Sequence, residues 1–296
     1  MELGHIYYDF QLYEAALHLG ARYPGLLKVE EVGSSEDNRI IFMITIGTGD
    51  KTLLCTAGVH GRESLNPVLL VKMAENYVGR LDQHDKALQT FFNKYRLVLV
   101  PLLNPDGYMI ALRGFNIIRN SEYRLKAKNM NLPYCEWKYN ARGVDLNRNF
   151  SSVHWKVKFH GDRPLSESES QLLVHLFERF KPAAYFDYHS RGNEIYYYRD
   201  TMSESYNRIQ KIIASRLSVL SGYQLVEPVR EIDTGDSGGN TVHYFVEHYN
   251  LPAFTIETAP EEAGFPLNLA LQSQVYQQIV HTPFALDEET FQKIVF

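Results

Sequence analysis

The stretch KTLLCTAGVHGRESLNPVLLVKMAENYVGRL, residues 51–81, decides the fold. It begins with an apolar run typical of a buried β-strand. It ends with apolar residues three and four positions apart, as in an amphipathic helix. The polar turn between them carries His60 and Glu63. A strand that leads directly into a helix is typical of α/β folds, in which ligand sites gather beyond the carboxyl ends of strands.

The same alternation of strands and helices continues along the chain, which predicts an α/β fold with a mixed, mostly parallel sheet covered by helices. The polar and aromatic segment 107–143 is interpreted as long loops. The predicted strands are RIIFMITIG (39–47), KTLLCTAG (51–58), YRLVLVPLL (95–103), AAYFDYHS (183–190), NEIYYYRD (193–200) and PAFTIETA (252–259). The predicted helices cover residues 66–81, 166–180 and 205–222.

Composition narrows the class of protein. The chain has 296 residues, 45% of them hydrophobic, and no Pro/Gly/Ser-rich linker, which predicts one domain over residues 1–296. A net charge of −5 and the lack of a long Lys/Arg run argue against nucleic acid as a partner. No apolar stretch approaches the ~18 residues of a membrane span. The N-terminus does not resemble a signal peptide, so we expect a cytoplasmic protein without a membrane partner. Composition leaves the oligomeric state open.

His60 and Glu63 are three residues apart, so both side chains can reach one cation from the same side of the turn. Imidazole nitrogen and carboxylate oxygen are zinc ligands, and catalytic zinc sites use three protein ligands and a water. Spacing alone is weak evidence, because His175 and Glu178 have the same separation inside a predicted helix. His189, also at the end of an apolar run, is a candidate third ligand. A hydrogen-bonded turn remains the alternative at these positions.

Two further polar features accompany this motif. The stretch NARGVDLNRNF, residues 140–150, contains Arg142 and Arg148, and arginine binds carboxylates through two parallel hydrogen bonds. A turn whose Asn and Asp side chains cap their own backbone is an equally good interpretation. Glu257 lies in an apolar strand, where a carboxylate is costly to bury unless it is paired or used. It is either an edge residue or a general base for water activated by a metal.

Together these residues resemble the zinc metallocarboxypeptidase family. The resemblance implies a three-layer α/β sandwich with a mixed eight-stranded sheet. It also implies that His60, Glu63 and His189 bind one zinc ion and that Glu257 is the general base and acid. The matching blocks, in the family's order, are the H-x-x-E motif, GVDLNRNF (143–150), GDRPLSESES (161–170), YFDYHS (185–190), DSGGN (236–240) and TIE (255–257).

The resemblance also implies how substrate is held. Asn147 and Arg148 match the pair that binds the terminal carboxylate of the substrate. Thr241 falls at the floor of the pocket for the residue after the cleaved bond. Thr234 stands where many digestive members carry a substrate-capping Tyr. The family's oxyanion-stabilising Arg has no single counterpart before the NRN block, and the candidates are Lys138, Arg142, Arg124 and Arg119.

The segments 23–47 and 137–150 are most similar to the bacterial branch that cleaves peptidoglycan peptides, the γ-D-glutamyl-diamino acid peptidases. We therefore expect a zinc-dependent peptidase that hydrolyses the γ-D-Glu–diaminopimelate bond of small muropeptides. Three alternatives stay open: a carboxypeptidase for ordinary L-peptides, a zinc deacylase of small amino acid conjugates, and a muropeptide-binding protein without catalytic activity.

Overall fold

A single mixed sheet organises the chain. The computed structural model describes residues 1–158, 161–231 and 238–295, so Thr234 lies outside the described residues. The strands of the described part are β1 (Leu27–Ser34), β2 (Ile40–Ile46), β3 (Lys51–Ala57), β4 (Tyr95–Val100), β5 (Ala184–Ser190), β6 (Glu194–Tyr196), β7 (Gln224–Leu225) and β8 (Ala253–Thr258). Their order across the sheet is β1-β2-β4-β3-β5-β8-β6-β7.

The expected mixed, mostly parallel sheet of eight strands is confirmed. Strands β4, β3, β5 and β8 run parallel to one another at its centre, and β6 is parallel to β7. The remaining pairs, β1–β2, β2–β4 and β6–β8, are antiparallel. All six predicted strands are present. Strands β1 and β7 were not predicted, because β1 is an edge strand with mostly polar, partly exposed residues and β7 has only two residues.

Helices cover both faces of the sheet. The three predicted helices are confirmed as α2, α6 and α7, and Gly222 ends α7 in the left-handed conformation with φ of 76°. Within the described residues, no helix is long and apolar enough to cross a bilayer. The helices are α1 (Asp9–Arg22), α2 (Leu65–Asp82), α3 (Lys86–Lys94), α4 (Pro105–Arg113), α5 (Ser121–Asn129), α6 (Ser168–Phe180), α7 (Glu204–Ser221), α8 (Pro228–Glu231), α9 (Thr241–Tyr249), α10 (Leu271–Ile279) and α11 (Glu288–Val295).

The prediction of long loops over residues 107–143 was wrong. Helices α4 and α5 and the short 3₁₀ turns Phe115–Ile117 and Tyr134–Glu136 occupy much of this segment. Asn104 caps α4 and Pro105 opens it, and the helix is largely buried. Helix α5 is capped by Asn120 but buries only Ala127. Its sequence therefore lacks the apolar periodicity from which a helix is predicted.

Two apolar cores lie on opposite faces of the sheet, which confirms the three-layer arrangement. Along β3, Leu53 and Cys55 belong to one core and Leu54 to the other, as expected when successive side chains of a strand point to opposite faces. Helices α1, α2 and α3 contribute to the first core. Helices α6 and α9 contribute to the second. Because both faces are covered, the open edge at the carboxyl ends of the parallel strands is the natural place for a site.

The register of the central strands brings polar residues together at that edge. Strand β5 pairs with β8 so that His189 lies directly beside Glu257. Strand β3 pairs with β5 up to Ala57 and Tyr188, and the chain then turns towards His60. Adjacent strands are ~4.8 Å apart, so the strand ends hold these side chains at fixed lateral spacing.

A buried acid in α6 makes stability depend on pH. Glu169 is fully buried, and burial, followed by the nearby charges of Asp106 and Glu36, raises its pKa from 4.5 to about 8. The folded chain therefore binds one more proton than the unfolded chain between these values. The contribution of Glu169 alone should lower the free energy of unfolding by about 1.4 kcal/mol per pH unit as pH rises through this range. Glu169→Gln should reduce the slope of the wild-type chain by this amount in urea unfolding, and the slope that remains comes from other groups with raised pKa values, such as Glu257. The exposed Glu178→Gln on the same helix should keep the wild-type slope, and equal slopes for the two variants would contradict the assignment.

Candidate metal centre and active site

Two histidines and a glutamate converge at the carboxyl end of the central strands. One ligand atom each from His60, Glu63 and His189 lie within 4.8 Å of one another. The Nδ1 atom of His60 is 2.6 Å from Glu63 Oε1, and the Nδ1 atom of His189 is 3.1 Å from Glu63 Oε2. Glu63 and His189 are buried, and His60 is nearly so. The structure therefore brings together the three residues that the sequence suggested as ligands.

The turn after β3 is shaped by backbone contacts. The Glu63 N–H donates to the His60 carbonyl at 3.2 Å, which places both side chains on one side of the turn. Gly61 packs against a neighbouring backbone, since a Cβ there would lie 2.2 Å from the carbonyl carbon of Gly107. The N–H of Gly61 donates to the carbonyl of Lys138 at 3.1 Å. These contacts fix the turn against α4 and the loop of Lys138.

Two carboxylates orient the imidazole rings from behind. Asp145 Oδ1 lies 3.3 Å from His60 Nε2, and Asp187 Oδ2 lies 2.9 Å from His189 Nε2. Because each Nε2 faces a carboxylate, each Nδ1 is left to face Glu63, which is how histidine ligands are commonly held in metal sites. Asp187 also accepts hydrogen bonds from the hydroxyls of Thr56 and Thr241.

Asp187 was not among the predicted site residues, although its sequence carried a signal. It is an acid within the apolar strand AAYFDYHS, two residues before His189 and therefore on the same face of β5. The argument applied to Glu257, that a buried acid is paired or used, applies equally to it.

The charges of the cluster are strongly coupled to one another. Burial alone would raise the pKa of Glu63, but His60 and His189 lower it to about 2. Burial opposes the charge on His189, yet Asp187 and Glu63 raise its pKa well above 6.5. The centre is thus an arrangement of carboxylates that attracts positive charge, whether protons on the imidazoles or a cation.

Glu257 stands beside this group with an open carboxyl oxygen. It pairs in register with His189 across β5 and β8. Its Oε2 atom is buried and has no hydrogen-bond partner among the described residues. Burial, opposed by His189 and reinforced by Glu63, raises its pKa to about 8. A carboxyl with these properties can exchange a proton near neutral pH.

Asn147 and Arg148 lie in the short 3₁₀ helix Leu146–Arg148, whose first turn is capped by Asp145. The Arg148 Nη1 donates to the Asn147 carbonyl at 2.7 Å, and Asn147 Oδ1 accepts from the Thr241 N–H at 3.3 Å. Asn147, Arg148 and Glu257 line one cavity of about 320 Å³. The structure therefore brings this pair to the same cleft as Glu257.

The candidates for the oxyanion cation lie in different places. Lys138 Nζ contacts Asp145 Oδ2 at 2.6 Å, on the carboxylate that orients His60. Arg142 points elsewhere, with its Nη1 3.2 Å from Glu167 Oε1. Arg119 donates to the Asn38 carbonyl and Arg124 to the Ile118 carbonyl. Of these four, Lys138 is the one whose contacts connect it to the candidate metal centre.

Thr241 and the pair His175 and Glu178 were also singled out in the sequence. The Thr241 hydroxyl donates to Asp187, and the side chain is fully buried behind His189. Its substrate contact stays a prediction. His175 and Glu178, the pair with the same spacing as His60 and Glu63, are both exposed on α6, and neither belongs to a potential metal group of the described residues. Strand context, not spacing, distinguishes the two pairs.

Asp187→Asn should weaken zinc binding by about 10–100-fold, because the amide orients the His189 ring less strongly than the carboxylate does. A competition titration against a chromophoric chelator would measure the affinity. Asp200→Asn is the matched control, since Asp200 is exposed and contacts His154 rather than the cluster. Unchanged affinity in Asp187→Asn would show that other contacts orient His189.

Known proteins resemble the chain over most of its length. It is 28% identical to the uncharacterized protein YqgT of Bacillus subtilis over 80% of this chain and 66% of that protein. It is 25% identical to gamma-D-glutamyl-L-diamino acid endopeptidase 1 of Lysinibacillus sphaericus over 88% of this chain and 67% of that protein. It is 27% identical to carboxypeptidase A2 of Rattus norvegicus over 78% and 57% of the two chains. The chain thus spans about two thirds or less of the length of these relatives.

Solved structures show the same fold. Thrombin-activatable fibrinolysis inhibitor superposes with a TM-score of 0.79 at 16% identity, over 98% of this chain and 75% of that one. Carboxypeptidase A of Helicoverpa armigera superposes with a TM-score of 0.76 at 20% identity, over 99% and 75%. The sequence profile of the zinc carboxypeptidase family matches residues 12–282. Because this match covers nearly the whole chain, the protein belongs to the zinc carboxypeptidase family.

Proposed function

We propose that the chain is a zinc-dependent peptidase that hydrolyses the γ-D-Glu–diaminopimelate bond of small cell-wall peptides, with one zinc ion per chain. The observation that carries the peptidase activity is the convergence of His60, Glu63 and His189 beside the open carboxyl oxygen of Glu257. The choice of bond is supported by the similarity to the gamma-D-glutamyl-L-diamino acid endopeptidase of Lysinibacillus sphaericus.

The residues present fit zinc. Two imidazole nitrogens and one carboxylate, with a fourth position left for water, form a donor set found in catalytic zinc sites. Both imidazoles have a carboxylate on the opposite nitrogen, which fixes the rings and makes them better ligands. The second acidic group of the described residues, Glu36, Glu167 and Glu169, contains no imidazole and lacks this outer support.

Bound zinc would supply Lewis acidity that polarises the scissile carbonyl and lowers the pKa of water to about 7. In this proposal Glu257 accepts the proton of the attacking water through Oε2, which has no hydrogen-bond partner among the described residues. The same carboxyl then returns the proton to the leaving amine. Its pKa of about 8 is lowered by any cation held at the neighbouring ligands, which suits it to both steps.

Substrate positioning falls to the residues at the other side of the cleft. In this proposal Arg148 and Asn147, which line the same cavity as Glu257, bind a substrate carboxylate, with the guanidinium supplying charge and the amide a directional donor. Binding the substrate carboxylate at a fixed position determines which peptide bond lies beside the candidate metal ligands and Glu257. Lys138, which contacts the carboxylate behind His60, would stabilise negative charge that develops on the carbonyl oxygen.

The test is release of diaminopimelate from L-Ala-γ-D-Glu-diaminopimelate by zinc-loaded protein, followed by mass spectrometry, with a chelator-treated sample beside it. Zinc-dependent release is the expected result. A panel of blocked L-dipeptides would be run in parallel, because Asn147, Arg148 and the similarity to carboxypeptidase A2 favour ordinary carboxypeptidase activity as a second candidate. Hydrolysis of the L-dipeptides alone would refute the cell-wall bond while keeping the peptidase.

A further inference from the structure

The cavity beside Glu257 is lined by three arginines. It has a volume of about 320 Å³ and extends past Thr255, two residues back along β8 and thus ~7 Å from Glu257. Besides Arg148, it is lined by Arg199 and Arg230. If Arg148 binds the substrate carboxylate, as the proposed function has it, the side chain of the residue after the cleaved bond would enter this cavity.

The two additional arginines differ in their surroundings. Arg230 has a side chain that is 56% exposed, and it pairs with Glu194 through two hydrogen bonds of 2.7 and 3.2 Å. Arg199 is only 4% exposed, and its Nη1 donates to Glu231 Oε2 at 2.7 Å. Of these two arginines, Arg199 is therefore the one whose side chain is buried in the cavity wall.

Glu231 is fully engaged as the partner of Arg199. Its Oε1 accepts from the backbone N–H groups of Tyr197 and Tyr198 at 3.0 and 2.9 Å. Its Oε2 accepts from Arg199. With three donors on one buried carboxylate, Glu231 is better suited to orient the guanidinium than to bind a substrate amine.

Arg199 is held rigidly but not fully used. Asn207 binds the backbone of Arg199 on both sides, accepting from its N–H at 2.9 Å and donating to its carbonyl at 2.8 Å. Arginine has five N–H donors in a planar fork. The buried Nε has no hydrogen-bond partner among the described residues. The Nη1 of Arg199 donates to Glu231 and to the Tyr198 carbonyl, whereas Nη2 makes no hydrogen bond to the described residues and is not among their buried unpaired atoms. Nη2 is therefore the donor left for an acceptor in the cavity.

We propose that Arg199, oriented by Glu231, binds a carboxylate at the end of the side chain of the residue after the cleaved bond, and so selects diaminopimelate over lysine. The inference rests on the proposed function, and it names what distinguishes the substrate. Diaminopimelate ends in an amine and a carboxylate, which matches the guanidinium fork. Lysine would place a second cation beside Arg199 and leave its donors unpaired, and such a mismatch is a strong source of discrimination.

The experiment compares kcat/KM for three tripeptides, L-Ala-γ-D-Glu followed by diaminopimelate, by 2-aminopimelate or by lysine. The wild-type protein should prefer both carboxylate-bearing peptides to the lysine peptide by at least ~100-fold. Because 2-aminopimelate has the distal carboxylate but no distal amine, its rapid hydrolysis would assign the preference to the carboxylate. Hydrolysis of the lysine peptide at the same efficiency as the diaminopimelate peptide would overturn the inference while leaving the peptidase function intact.

Variants then assign the preference to Arg199. Arg199→Gln should bring the diaminopimelate-to-lysine ratio to within about threefold of one, mostly through a higher KM for diaminopimelate. The double variant Arg199→Gln/Glu231→Gln removes both buried charges, so it leaves no unpaired buried carboxylate. It therefore still tests the role of Arg199 if the single variant folds poorly. Arg208→Gln, an exposed arginine on α7, is the matched control and should keep the wild-type ratio. A wild-type ratio in the folded double variant would refute the role of Arg199.

The inference and the proposed function can fail separately. If no γ-D-Glu peptide is hydrolysed, the proposed bond is wrong, and the same comparison is made with blocked L-dipeptides that end in Glu, Lys or Phe. Preference for Glu, lost in the double variant, would support carboxylate recognition by Arg199. Preference for Lys or Phe, or no hydrolysis of any of these peptides, would overturn it.

Discussion

Glu257→Gln is expected to lower kcat on the diaminopimelate tripeptide by about 10²–10⁴-fold, the usual contribution of a general acid–base group. Glutamine has almost the same shape as glutamate, but it can neither accept a proton from water nor return one to the leaving amine. Glu257 is not part of the His–Glu–His group, so zinc content should remain at the wild-type level. Steady-state kinetics together with metal analysis of the purified variant would measure both.

Glu262→Gln, a change at an exposed acid five residues further along the chain, should leave kcat unchanged and serves as the control. A Glu257→Gln variant that keeps more than about a tenth of the wild-type kcat would show that another group moves the proton. A variant that loses zinc as well as activity would place Glu257 among the groups that support the metal.

His60→Ala is expected to abolish activity by removing one of the three proposed metal ligands. The loss of zinc affinity should exceed the 10–100-fold expected for Asp187→Asn. The reason is that His60→Ala removes a proposed direct ligand, whereas Asp187→Asn changes only a side chain that orients one. Thermal unfolding gives an independent readout. Zinc at 100 times its Kd should stabilise the wild-type chain by about 2.7 kcal/mol, and the variant should gain far less at the same concentration.

His175→Ala is the matched control for this change, because His175 has the same three-residue spacing from an acid but lies exposed on α6. Zinc should stabilise this variant as much as the wild-type chain. Equal stabilisation of His60→Ala by zinc would mean that the metal binds elsewhere, and the interpretation of the HGRE turn as a metal site would be wrong.

The elements with strong apolar patterns were predictable, and the elements without them were not. The buried central strands and the amphipathic α2, α6 and α7 appear in the sequence as clear periodicities. Helix α5 is stabilised by its Asn120 cap and buries little, so the polar composition of its sequence concealed it. Strand β1 pairs along only one edge, and its polar residues gave no signal of a strand.

The residues of the candidate site also divide into those that the sequence predicted and those that it did not. His60, Glu63, His189 and Glu257 lie at the ends of predictable strands or in the strands themselves, so the topology of the sheet was enough to bring them together. Arg199 and Glu231 are 32 residues apart, and each is an ordinary charged residue in its local sequence. Their pairing depends on how the chain after β6 packs against α8. Hydrophobic periodicity in the sequence does not predict that packing.

The side-by-side register of His189 and Glu257 has a consequence for protein engineering. Their separation is set by backbone hydrogen bonds between two central strands, whereas Arg199 and Glu231 follow the short edge-side strands β6 and β7. The segment 197–231 should therefore be exchangeable between relatives that keep the core-facing residues of α7, without altering the spacing between the candidate metal ligand and the base. Chimaeras made at these boundaries would change which peptides are accepted while inheriting one common reactive core.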